Sequence, residues 1–115
     1  MVPDELRLLV FPETGGLWTA RTLEHDVAAQ ARSRDNAVDA VIKIIRAHVE
    51  FDRRHNRAPL SAFAPAPRLY WNAFRGASQA SMPREIELAE TDAMPRFIIA
   101  VADHAPAMFR LSLTA

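Results

Sequence analysis

Apolar runs broken by turn signals open the chain, and this pattern predicts three short strands. Residues 6–11 are apolar at nearly every position, which is typical of a strand that is covered on both faces. Pro12 ends this run because proline has no backbone N–H to give to a ladder. The glycine pair at 15–16 supplies the positive φ angles of a tight turn into a second strand over residues 17–23. Residues 27–31 then predict a third strand.

A long amphipathic helix follows these strands. Ser33 is a suitable N-cap, Asp35 complements the positive end of the helix, and the helical pattern runs from Arg34 to about Arg54. Its apolar positions recur at steps of three and four residues and define one face: Ala37, Val38, Val41, Ile42, Ile44, Ile45 and Val49. We expect Val38, Val41, Ile42 and Ile45 to be buried against the sheet, and Asp39, Lys43 and Arg46 to face solvent.

The connection over residues 55–83 has a different character. It contains Pro59, Pro65 and Pro67, which exclude a long regular element there. Three aromatic residues close together predict about one helical turn that covers an edge of the core: Tyr70, Trp71 and Phe74. Residues 76–83 predict a loop.

Two further strands are predicted near the C-terminus. Residues 84–90 alternate between polar and apolar side chains, as in a half-exposed strand, and residues 97–102 form a continuous apolar run typical of a buried strand. Residues 108–115 predict either a short terminal strand or a frayed end. The expected fold is a single α+β domain over 1–115: a β-β-β-α unit at 6–54, the proline-rich connection, and C-terminal strands at 84–102. Its small mixed sheet would carry one long helix on one face.

Composition narrows the functional classes. The chain has 115 residues, half of them hydrophobic and 24% charged, as in an ordinary globular domain. It contains no cysteine, which excludes disulfides, thiolate zinc sites and cysteine nucleophiles. We find no apolar run long enough to span a membrane and no signal-peptide pattern at the N-terminus, so we expect a cytoplasmic protein. The net charge of zero predicts no overall attraction to nucleic acid.

Motifs over about residues 6–52 resemble the HicB-like family of antitoxin-type proteins. The resemblance rests on Gly15-Gly16, Trp18, Ala20, Leu23-Glu24, Val27, Gln30 and Ser33. It implies a partial ribonuclease H-like fold of β-β-β-α-β order, self-assembly and a small toxin partner. The chain departs from the family in having Ala31 at the usual corner glycine. Residues 55–115 show no ribbon-helix-helix or helix-turn-helix pattern, so the family's DNA-binding half is not carried over.

Two groups of residues could carry metal chemistry. A divergent nuclease would use Glu24, Asp26 and Asp103 to hold Mg²⁺ beside a phosphate. His48, Asp52 and His55 have the spacing of one helix face and could bind zinc, with Glu24, His25 or His104 as a further ligand. Solvated strand-end acids and boundary histidines explain both groups more simply. We therefore assign no catalytic residue, no metal ligand and no cofactor.

Two other groups are candidate partner-binding residues. Arg53, Arg54 and Arg57 could pair with RNA phosphates or with acids on a partner, and a solvated helix end explains them equally well. The aromatic residues Tyr70, Trp71 and Phe74 fit either a lid on the core or an exposed interface patch.

We expect a non-enzymatic HicB-like, antitoxin-type protein that acts through protein–protein contacts, with neutralisation of a small RNA-cleaving toxin as its role. The alternatives are a freestanding oligomeric domain and, with less support, the divergent nuclease. A homodimer or higher oligomer is expected in addition. One helix would leave an edge strand and one sheet face of the small sheet uncovered, and a second copy of the chain would protect them.

Overall fold

A mixed five-stranded sheet forms the centre of the protein in a computed structural model that describes residues 5–79 and 95–106. The strand order is β3-β2-β1-β5-β4, with β1 antiparallel to β2 and parallel to β5. The elements are β1 (Glu5–Pro12), β2 (Trp18–Thr22), β3 (Val27–Ala31), α1 (Arg34–Arg54), α2 (Arg68–Gly76), β4 (Ser78–Gln79) and β5 (Arg96–Val101). The predicted α+β class, with a mixed sheet and one long helix, is confirmed. The strand predicted at 84–90 and the terminal segment at 108–115 lie outside the described residues.

The turn between β1 and β2 depends on two glycines. Thr14–Gly16 forms a short 3-10 turn in which Gly15 has φ 79° and Gly16 has φ 78°. A Cβ atom built on either glycine would meet nothing within 4 Å. These glycines are therefore required for their left-handed backbone and not for a close approach.

Both ends of α1 are capped by local hydrogen bonds. At the start, Ser33 Oγ accepts a hydrogen bond from the backbone N–H of Asn36 at 3.1 Å, as the sequence predicts. At the end, the N–H of Arg57 bonds to the carbonyl of Asp52 at 2.8 Å and that of Asn56 bonds to Arg53 at 3.3 Å. Asn56 has φ 54°, so the helix stops in a Schellman turn with asparagine at the left-handed position.

Alternation along β1 separates two apolar layers. Leu6, Leu8 and Val10 face α1 and are fully buried together with Ala20 of β2. The buried residues of α1 that are apolar are Ala37, Val38, Val41, Ile42, Ile45 and Val49. The predicted buried face is confirmed, and Lys43 and Arg46 are exposed as expected. Asp39 is only partly exposed, which differs from the prediction.

The second layer lies on the opposite face of the sheet. Leu9 and Phe11 of β1 and the neighbouring Leu23 are buried there. They are covered by Ala66 and by half-buried side chains of the second helix and its flanks: Tyr70, Trp71, Ala73, Phe74 and Ala77. The chain thus forms three layers, with α1 and α2 on opposite faces of one sheet.

Two local predictions for the connection are wrong. The aromatic segment forms a nine-residue helix and not a single turn, because the three prolines all precede α2 and Pro67 is its N-cap. Within the predicted loop, Ser78–Gln79 pairs antiparallel with β5 and forms β4. The free edge of β5 supplies the hydrogen-bonding partner, and the polar sequence around Ser78 shows no strand pattern of its own.

Residues 55–67, the strap, carry the chain from the end of α1 to α2. The N–H of Asp26 donates to the carbonyl of Ala64, and that of Ala66 donates to Leu23, both at 2.8 Å. The strap thereby brings α2 over the second sheet face. The expectation that this face stays uncovered is wrong. The uncovered edges of the sheet are therefore the remaining physical argument for self-association.

None of the helices within the described ranges is long and apolar enough to cross a membrane.

Candidate interaction surfaces

The acids of the hypothetical nuclease site at the end of β2 are held in ion pairs. Glu24 accepts hydrogen bonds from the backbone N–H of Arg7 at 2.7 Å and from its guanidinium at 2.6 Å. Asp26 pairs with the guanidinium of Arg21. Both carboxylates therefore have arginine partners that satisfy their charge. The Glu24 pair ties the β2–β3 turn to β1, and the Asp26 pair ties the same turn to β2.

Asp103 lies toward the other end of the strands. Glu24 is hydrogen-bonded to Arg7 of β1. The backbone N–H of Ala102, which precedes Asp103, donates instead to the carbonyl of Val10. Three strand residues span about 10 Å, so these acids cannot share one small cation. Within residues 5–79 and 95–106, no three His, Asp or Glu side chains are grouped so that they could hold a metal ion.

The helical spacing of His48, Asp52 and His55 also does not produce a ligand set. The His48 ring packs edge-on against Phe63, with centroids 4.8 Å apart. Asp52 is buried and accepts a hydrogen bond from the backbone N–H of Leu60 at 2.8 Å. His55 is the C-cap residue of α1 and turns back toward its own helix. Each side chain thus has a separate structural contact.

The aromatic half of the predicted partner-binding set forms a lid on the second sheet face. Tyr70 stacks on Phe11 at 6.2 Å, and the guanidinium of Arg21 lies 4.3 Å from the Tyr70 ring centroid. Trp71 donates its indole N–H to the carbonyl of Ala66 at 3.1 Å. Phe74 packs in the same layer, half-buried. The structure therefore supports the interpretation of this segment as a lid on the core over that of an exposed interface patch.

The arginine half lies on the other side of the sheet, at the end of α1, so the predicted set divides into two separate surfaces. Arg53, Arg54 and Arg57 are all exposed. Arg53 pairs with Glu50 one turn earlier. Within the part of the chain that the structure describes, neither Arg54 nor Arg57 forms an ion pair. Among the described residues, Arg54 and Arg57 therefore retain charge that no ion pair neutralises.

Glu50 is ionised at neutral pH. The hydrogen bond from Arg53 lowers the pKa of the Glu50 carboxyl, and the positive charges of Arg53 and Arg54 act in the same direction. Because the pKa is lowered in the folded state, this pair stabilises the fold at pH values above the ordinary pKa of a glutamate. The stabilisation is lost as the pH falls through the folded-state pKa. The pair is exposed, so its contribution is small.

Sequence reasoning missed Phe51, the large apolar side chain that is exposed among the described residues, with 47% of its surface accessible. Its ring stacks on His55 one turn later, with centroids 4.1 Å apart and planes inclined by 27°. The guanidinium of Arg57 lies 5.7 Å from the Phe51 ring. The available signal was an aromatic residue outside the apolar stripe of α1, four positions before a histidine.

A third surface is the free edge of the sheet at β3. This strand has the sequence VAAQA, without a charged residue or a proline. Ala28 and Gln30 are exposed, and Gln30 hydrogen-bonds to Glu13 at 3.1 Å. Sheet edges in soluble proteins are usually protected by charge, proline or a bulge, and β3 lacks the first two.

No protein-family model, curated protein or solved structure matches this chain, and the similarity to HicB-like proteins therefore rests on the sequence motifs alone.

Proposed function

We propose that this protein is a non-enzymatic, antitoxin-type binding protein that acts in the cytoplasm by holding a small RNA-cleaving toxin. The observation that carries the proposal is the order of the elements. Three antiparallel strands and one long helix come first, and β5 then pairs parallel to β1, which is the β-β-β-α-β order that the HicB-like resemblance implies with α2 and β4 added before the last strand. The arginine pairing of Glu24 and Asp26 supports a binding role over the nuclease alternative.

The β3 edge is the surface that we propose for the toxin. An added strand would gain main-chain hydrogen bonds from the free edge, and the small side chains of β3 would not obstruct its approach. Ala28 is exposed and accepts a larger side chain without disturbing the core. This position therefore allows the edge to be changed while the fold is retained.

The test is co-expression with the product of the neighbouring reading frame, where that frame encodes a short basic protein. We expect the two proteins to purify as one complex and the growth arrest caused by the toxin to be relieved. Ala28→Lys should weaken the complex, whereas Ala47→Lys, the same substitution at an exposed position of α1, should not. Separate elution of the two native proteins, with growth arrest unrelieved, would contradict the proposal.

The open β3 edge also favours a second candidate function, a freestanding oligomeric domain. Pairing of β3 with β3 of a second copy would join two sheets and remove the free edge from both. We expect light scattering at micromolar concentration to give at least twice the chain mass of 12.9 kDa. In Ala28→Lys, repulsion between like charges across the two-fold axis should return the mass to that of one chain. A native protein that is monomeric at this concentration would contradict self-association.

A further inference from the structure

We propose that the exposed end of α1 binds single-stranded nucleic acid. The surface, named here the α1 end patch, consists of Phe51, Arg53, Arg54, His55 and Arg57. Its arginines would contact phosphates, and its stacked rings would contact bases. The proposal rests on this patch alone and does not depend on a toxin partner.

The two rings of the patch are held in place by the helix. His55 Nδ1 lies 2.8 Å from the carbonyl oxygen of Phe51. A carbonyl oxygen only accepts hydrogen bonds, so Nδ1 carries the proton and donates it. This bond fixes the histidine ring against Phe51, and the second ring nitrogen has no partner within the described residues. The patch thus presents a preformed aromatic pair with a polar atom at its rim.

The helix stop places one cation, Arg57, beside the Phe51 ring. Asn56 takes a left-handed backbone, and the N–H of Arg57 bonds back to Asp52, so the chain returns over the end of α1. The Arg57 guanidinium thereby comes beside the Phe51 ring. Three arginines lie beside two acids, Glu50 and the buried Asp52, which leaves a local excess of one positive charge in a protein of zero net charge.

Nucleic acid accounts for both components of the patch, whereas an acidic protein segment would need only the cations. Proteins that bind single strands combine arginines along the phosphate backbone with aromatic side chains on which bases stack. Phe51 is exposed and has the Arg57 guanidinium 5.7 Å from its ring, so an aromatic surface and a cation are presented side by side. The α1 end patch has both features within seven consecutive residues, 51–57.

The test is fluorescence anisotropy with the full chain and a labelled single-stranded RNA of about 12 nucleotides. At physiological salt we expect a dissociation constant of about 10⁻⁶ to 10⁻⁴ M, with tighter binding as the salt concentration falls. The double variant Arg54→Ser/Arg57→Ser should bind at least about tenfold more weakly and should reduce the slope of log affinity against log salt by about 1.4, the value for two phosphate contacts. Phe51→Ala should weaken binding by about fivefold or more with little change in that slope.

The matched control is Arg68→Ser/Arg75→Ser, which removes the same charge from exposed positions of α2 on the opposite side of the sheet and should leave binding unchanged. Circular dichroism of each variant verifies folding. A single-stranded DNA of the same sequence shows whether the patch prefers RNA or DNA. Tighter binding of the RNA or of the DNA supports the proposal equally. Equal losses in the patch and control variants would overturn it. So would competition by polyglutamate at the same charge concentration, because the patch would then be an acid-binding protein surface.

Discussion

Replacing Ile42 by alanine is expected to lower the free energy of unfolding by about 2–5 kcal/mol. Ile42 is 4% exposed and lies on the face of α1 that packs against the sheet. Truncation removes buried apolar area and leaves a cavity, because neighbouring side chains such as Val38 and Ile45 are themselves tightly enclosed. The expected loss of stability includes both the lost burial of apolar surface and the cost of the cavity.

Chemical denaturation of the native chain and two variants measures this effect. Lys43→Ala changes the adjacent, exposed position and should alter stability by no more than about 0.5 kcal/mol. The two variants therefore separate a change in core packing from a change in helix propensity. An Ile42→Ala loss as small as that of the Lys43 variant would mean that α1 does not pack on the sheet through this face.

The elements with strong local signals could be predicted from the sequence. The apolar stripe of α1, its Ser33 cap and the glycine turn each depend on residues close to one another in the chain. The period-two alternation that places Ala20 and Leu23 on opposite faces is also local. In these segments, backbone preference and burial favour the same structure, so local reasoning is sufficient.

The strap and α2 could not be predicted in the same way. Three prolines indicate interruption, but they do not show that the chain passes the β2–β3 turn at the end of the sheet and continues as a helix immediately after Pro67. The contacts that hold this path join distant residues, as between Asp26 and Ala64 or between Arg21 and Tyr70. Arg21, which lies opposite Leu9 on the same sheet face as Phe11, was the available hint of such a cover.

The candidate surfaces were only partly predictable for a related reason. The spacing of His48, Asp52 and His55 is that of a helix face, yet each side chain is engaged by a different part of the structure. Which neighbour a side chain meets depends on where the helix stops. In this chain the stop is set by Asn56 at the left-handed position, a weaker signal in the sequence than the glycine that more often ends a helix. The Phe51–His55 stack and the position of Arg57 both follow from that turn.

Asp52→Ala is expected to lower the free energy of unfolding by about 1–3 kcal/mol, the cost of leaving a buried backbone N–H without its acceptor. Asp52 is 6% exposed, and its carboxylate accepts from the N–H of Leu60. Leu60 has φ 61° and is fully buried. A left-handed backbone at leucine costs about 1–2 kcal/mol, and the bond from Asp52 helps to offset that cost.

Asp52→Asn is the matched variant, because its amide oxygen can still accept the Leu60 N–H while the charge is removed. We expect it to lose less stability than Asp52→Ala, since a neutral acceptor forms a weaker hydrogen bond than a carboxylate but does not leave the N–H unpaired. Hydrogen exchange adds a local measurement. In Asp52→Ala, the amides of Asp26 and Ala66, which bond the strap to the sheet side, should exchange faster relative to the amides of β1. If both variants keep native stability and native exchange at Asp26 and Ala66, the strap is held by the burial of Leu60 alone and Asp52 has no part in positioning α2.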